Sequence, residues 1–180
     1  MKRGVKVISS LLLIGVIFLL AGCGSNEETT TTISTNINVD GWRNVELLDI
    51  RTGENFKIND FDKPILLESF AVWCPTCLKQ QREIQKLIDL EGDRVVHISL
   101  DTDPNEDETI VKDHALENGF NWYFAVPKIE TTRELIEEFG VTFVNAPSAP
   151  VALVCNGKAE LLKNGVKSAE ELQEIIDSRC

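Results

Sequence analysis

The chain has 180 residues, 43% of them hydrophobic and 26% charged, with a formal net charge of −11. That length suits one globular domain with some extra at an end, and the acidic balance argues against nucleic acid or anionic lipid as an electrostatic partner.

Lys2, Arg3 and Lys6 precede an apolar run from about Leu11 to Ala21 and then small residues, the layout of a secretory signal peptide. A retained anchor competes with this, because the run is of borderline length for a span. The stretch "LAGC", 20–23, resembles the lipobox of bacterial lipoproteins. That resemblance implies that Cys23 is lipidated and becomes the new N-terminus, so that residues 1–22 are a lipoprotein signal peptide. Their loss removes three cations and no carboxylate, taking the net charge to −14. The Ser/Thr/Asn/Glu run at 25–36 buries too little apolar surface to order itself, so 23–37 is expected to be a lipidated cysteine and flexible tether. The body, 38–180, is expected to be a single domain.

Within it, 44–50 and 54–58 are strand-like runs separated by Arg51-Thr52-Gly53, a predicted N-terminal hairpin. Residues 65–72 are almost wholly apolar, as a strand buried on both faces should be. From Pro75 the period becomes helical, with Leu78, Ile84, Leu87 and Ile88 on one side, Lys79, Gln80, Gln81 and Lys86 elsewhere, and an end near Gly92. Residues 94–100 read as the next buried strand, 101–107 as a polar loop, 108–117 as a helix and 121–126 as a short strand. Residues 131–140 open on a capping threonine and close on glycine, the punctuation of a helix. Two strands flank the Asn156-Gly157 turn, and Ser168-x-x-Glu171 is a capping box that opens a last helix over 168–178. Strands alternating with helices and ending in a tight hairpin predict an α/β domain whose mixed sheet has a parallel portion and an antiparallel edge.

The pair Cys74 and Cys77 lies at the seam between the buried strand and its helix, in "SFAVWCPTC". A cysteine at a helix N-terminus faces unpaired N–H groups and the positive end of the helix dipole, which stabilise a thiolate. Pro75 suits the first helical position and leaves Cys74 at an exposed lip. Cys77, one turn deeper, can reach back to resolve a mixed disulfide. Cys74 is therefore the expected nucleophile and Cys77 the resolving thiol. Zinc would need a second ligand pair, which Cys155, Cys180, His97 and His114 do not form, and a disulfide across one turn constrains little chain. His97 reads as a core histidine, His114 as solvated on a polar helix, and the acidic run 101–108 as a solvated turn without the glycine of a calcium loop.

This motif, the later "FGV" and an Ala-Pro before the last hairpin resemble the thioredoxin fold. The segment 45–77, with its added N-terminal β-hairpin, is similar to the TlpA and ResA type of extracytoplasmic thiol–disulfide oxidoreductase. The resemblance implies further site residues. Glu68, six positions before Cys74, matches the buried acid beneath the disulfide, and would take the Cys77 proton; escape of its side chain to solvent is the alternative. Pro150 matches the proline that faces the disulfide, with Ala149 pairing an extended substrate and Pro147 as a competing candidate on a longer approach. Trp73 would shield the disulfide, and Thr76 either bonds the Cys74 thiolate or merely begins the helix. Cys155 and Cys180 should both lie at the far side of the domain, either as a structural disulfide or as a buried inert thiol and a loose terminal one.

The expected function is that of a monomeric, lipid-anchored reductase outside the cell membrane, with no cofactor and no metal. It would take electrons from a membrane thiol donor and pass them to disulfides of secreted proteins, apocytochrome c among them. A disulfide-forming oxidase of the same fold, a copper-delivery protein of the SCO type and a passive binding module are the rivals. A peroxidase would need a Pro-x-x-x-Thr-x-x-Cys setting that is absent.

Overall fold

The computed structural model describes residues 41–180. The expected signal peptide, Cys23, the expected tether and the expected start of the domain at 38 lie outside the described residues. Among those described, no helix is long and apolar enough to cross a membrane.

Strands β1 (Leu47–Asp49) and β2 (Glu54–Phe56) form the expected hairpin. Its turn is closed by Asp49, whose buried carboxylate accepts the Thr52 hydroxyl at 2.9 Å. Next come β3 (Ile65–Phe70), helix α1 (Pro75–Glu91), β4 (Val96–Asp101), α2 (Glu108–Asn118), β5 (Tyr123–Ala125), α3 (Ile129–Phe139), β6 (Val151–Cys155), β7 (Lys158–Leu161) and α4 (Ala169–Arg179). The main sheet runs β5-β4-β3-β6-β7, parallel across β5, β4 and β3 and antiparallel across β6 and β7. This is the predicted architecture. The hairpin joins the β5 edge through Ile50 N–H to Phe124 O at 2.9 Å.

Strand β3 is central and buried at every residue. Alternation sends Leu66 and Phe70 into a core with Ile84 and Leu87 of α1, and Ile65 and Leu67 into a second core with Leu135 of α3. The C-terminal end of β3 leads straight into the Cys74 turn, so both cores hold the site in place.

Four local readings need correction. Gln80 and Gln81 are fully buried. Gln80 clamps Lys167 by accepting its N–H at 2.8 Å and donating to its carbonyl at 3.2 Å. Helix α3 starts two residues before Thr131, with Lys128 at the cap and no side-chain bond, so Thr131 lies inside the helix. His114 is buried, stacks on Phe70 and bonds Gln81 Oε1 at 2.8 Å. In the acidic run, Asp101 is the buried last residue of β4, and Glu106 accepts Val72 N–H at 2.7 Å, so the run braces the approach to Cys74. The last helix is capped as read, Ser168 Oγ accepting Glu171 N–H at 3.2 Å.

Cys155 and Cys180 form a disulfide with Cα atoms 5.9 Å apart. It closes a loop over β7 and α4, a constraint worth about 3.5 kcal/mol by chain entropy. Because Val154 pairs with Ile65 at the start of β3, this bond lies at the end of the sheet remote from Cys74.

Candidate active site

Cys74 is the N-cap of α1, extended at φ −87° and ψ 107°, and Pro75 is the first helical residue. The Cys77 N–H points at Cys74 Sγ at 3.1 Å. One backbone donor and the dipole of a 17-residue helix thus converge on this sulfur. Cys74 and Cys77 are joined by a disulfide, Cα to Cα 5.3 Å. Thr76 is half-buried, and among the described residues the bond to Cys74 Sγ comes from the Cys77 backbone.

Cys74 does not sit on an exposed lip. It is 1% exposed and Cys77 is fully buried. The longer approach to β6 is responsible: residues Ala146–Ser148 form a tight turn that packs on α1, with Ala146 O 3.1 Å from Cys77 Sγ. The turn is pinned by Asn145 Nδ2 to Ser148 Oγ at 2.6 Å and by Gly165 N–H to Ser148 O at 2.8 Å. Ala149 is fully buried in the left-handed region, φ 46°, and its N–H is taken by Ala146 O at 2.8 Å. Its N–H is therefore already paired within the turn. Pro150 is buried, with its carbonyl accepting Ser69 N–H at 3.2 Å. In the Ala146-Pro147 pair it is the Ala146 carbonyl that approaches Cys77 Sγ.

Trp73 is 58% exposed rather than folded down as a shield, and its indole N–H donates to Asp103 Oδ2 at 2.6 Å. That bond holds the Asp103 carboxyl below its usual range. Trp73, Pro104, Ala146 and Pro147 border a groove of about 220 Å³ beside the Cys74 turn.

Glu68 is fully buried. It does not escape to solvent. Burial raises its pKa to about 8, against the opposing pull of the Ser99 hydrogen bond, the Gln81 amide and the Lys167 charge. Gln81 is one turn beyond Cys77 on the same face of α1, so the acid lies below the turn that carries Cys77. Ser99 Oγ donates to Glu68 Oε2 at 2.7 Å and accepts Trp122 Nε1–H at 2.9 Å. Lys167 is 2% exposed, donates Nζ to Gly165 O at 2.7 Å, and is held below its ordinary pKa by burial.

Sequence reasoning missed Ser99, Trp122, Gln81 and Lys167. A signal for the first existed: His97, Ser99 and Asp101 alternate with Val96, Ile98 and Leu100 in β4, a period-2 polar stripe facing α1. His97 is a core residue as read, 3% exposed, and burial lowers its pKa to about 4. Among the described residues no group of three or more His, Cys, Asp or Glu is placed to hold a metal.

No family model and no curated protein matches the chain. Among solved structures it is similar to StoA from Bacillus subtilis, at 23% identity over 71% of this chain and 92% of that one, TM-score 0.56. It is also similar to a secreted disulfide oxidoreductase of Mycobacterium tuberculosis, at 14% identity over 76% and 97%, TM-score 0.57. The exposed lipoprotein thioredoxin Etrx1 of Streptococcus pneumoniae matches at 18% identity over 74% and 98%, TM-score 0.58. At these identities the likeness establishes the fold: the domain has the thioredoxin fold.

Proposed function

We propose that this protein is a thiol–disulfide oxidoreductase that reduces disulfides of proteins outside the cell membrane, to which lipid on Cys23 tethers it. The observation that carries this is the Cys74–Cys77 disulfide at the start of α1, with the fully buried Glu68 in the strand that leads to it. The neighbours named for disulfide oxidoreduction and for an exposed lipoprotein thioredoxin support both the chemistry and the location.

In the dithiol form the Cys74 thiolate attacks a substrate disulfide, and one substrate sulfur leaves as thiolate. Cys77 gives its proton to the Glu68 carboxylate and attacks Cys74 Sγ, releasing the second substrate thiolate. Two electrons pass to the substrate and the Cys74–Cys77 bond forms. Recharging runs the other way: one thiolate of a donor dithiol attacks Cys74, protonated Glu68 supplies the proton to departing Cys77, and the donor's second thiol resolves the mixed disulfide, releasing the Cys74 thiolate and the oxidised donor. A membrane dithiol is the proposed donor, apocytochrome c is one proposed acceptor, and the protein works as a monomer. The partner enters at the groove between Trp73 and Pro147 and displaces the Ala146–Ser148 turn to reach Cys74.

The test is dithiothreitol-driven reduction of insulin disulfides, using the full chain held in detergent. Catalysis well above dithiothreitol alone is the expected result. Absence of acceleration would contradict the proposal.

A further inference from the structure

We infer that Trp122 and Ser99 are positioning residues: the indole N–H fixes the serine hydroxyl as a donor to the Glu68 carboxylate and so favours the ionised acid that accepts the Cys77 proton. This rests on the proton-transfer role proposed for Glu68.

The inference follows from hydrogen-bond polarity. An indole N–H can only donate, and a serine hydroxyl has one proton and two acceptor sites. Trp122 Nε1–H points at Ser99 Oγ at 2.9 Å and therefore occupies one of those acceptor sites. The other neighbour of Ser99 Oγ is Glu68 Oε2 at 2.7 Å. Ser99 is fully buried, and no third partner of its hydroxyl is recorded among the described residues. When Glu68 is ionised the hydroxyl proton goes to Oε2, and neither partner of that bond is left unpaired. When Glu68 is neutral, either the serine proton or the acid proton has no acceptor among these groups, so the Ser99–Trp122 pair favours the ionised form.

Oε1 has no aligned hydrogen-bond partner among the described residues. The Gln81 side chain is a second hydrogen-bonding neighbour that lowers the Glu68 pKa, although its Nε2 has no aligned partner either. The two donors come from different strands: Ser99 stands opposite Glu68 in the β3–β4 register, and Trp122 precedes β5. Two adjacent strands and the residue that leads into a third thus align a single carboxyl group. The proton step itself is balanced as described above: breaking of the Glu68 O–H bond accompanies Cys77 S–H formation, and the reverse on the opposite stroke.

The test compares wild type with Ser99→Ala, Ser99→Thr, Trp122→Phe and Glu68→Gln as full chains. Infrared difference spectra between about pH 6 and pH 10 record the neutral carboxyl stretch, and the exchange rate is followed against pH. The Glu68→Gln variant identifies the Glu68 band and the inflection it causes. We expect Ser99→Ala to move that band to higher frequency and the inflection to higher pH, lowering the ionised fraction on the acid side at least threefold. Ser99→Thr should restore both, and Trp122→Phe should move both part of the way. A band and an inflection unmoved in Ser99→Ala and Trp122→Phe would overturn the inference. An inflection that survives Glu68→Gln would instead overturn the proton-transfer role, and the band shifts alone would then decide the carboxyl's alignment.

Discussion

Replacing Cys74 by serine is expected to lower the rate of disulfide exchange by about a thousandfold or more, the scale of losing a covalent nucleophile. Serine at this cap still accepts the Cys77 N–H, so the helix start survives. The variant should fold with only the small loss of a bond across one turn. Cys77→Ser should behave differently, because its nucleophile remains and the resolving step is gone. That variant should accumulate a mixed disulfide through Cys74, visible as an added mass that a reductant removes. A Cys74→Ser protein of undiminished rate would mean that the helix cap is not the reacting centre. The covering turn adds a kinetic expectation: both steps require Ala146 to leave Cys77 Sγ, so exchange with a protein partner that opens the turn should outrun exchange with a monothiol of equal pKa.

The second large effect is on stability. Glu68 keeps its proton to about pH 8 in the folded chain, against an ordinary value of 4.5. Between those limits the folded state binds more protons than the unfolded state, so stability falls as pH rises. Below 4.5 the acid is neutral in both states and its ionisation costs nothing; the loss is complete once the folded group ionises above about pH 8. The full span corresponds to about 4–5 kcal/mol. Glu68→Gln, which keeps a buried polar group without the charge, should remove this slope. Relative to wild type it should gain on the order of 4 kcal/mol between about pH 5 and pH 9 in denaturant titrations of the oxidised proteins. His97 and Asp101 titrate in both proteins and cancel in the comparison. Parallel stability curves would show that Glu68 ionises at no cost, and would remove the buried acid from the mechanism.

What the sequence made legible was whatever depended on local chemistry. Pro75 after Cys74 marks a helix start by its fixed φ and missing N–H, and the unbroken apolar run of β3 marks a central strand. Glu68 stood out because a carboxylate within such a run has no local reason to be there. Features made by distant parts of the chain were less visible. Lys167 is buried because Gln80, 87 positions away, satisfies both of its backbone groups. Gln81 looked like a surface residue of α1 until α2 brought His114 to it. The burial of Cys74 follows from the extra residues before Pro150, whose turn geometry and left-handed Ala149 no periodicity announces. The motif thus identified the reacting sulfurs, while the cover above them and the polar support beneath them came from tertiary packing.

The reduction potential of the Cys74–Cys77 pair tests the central claim most directly. It would be measured in thiol–disulfide redox buffers with Cys155 and Cys180 replaced by serine, reading Trp73 fluorescence and alkylation mass. A reversible two-electron couple near roughly −270 mV, in the range of thioredoxin, is the expected result. A value near roughly −120 mV would contradict the account and make the protein a donor of disulfides.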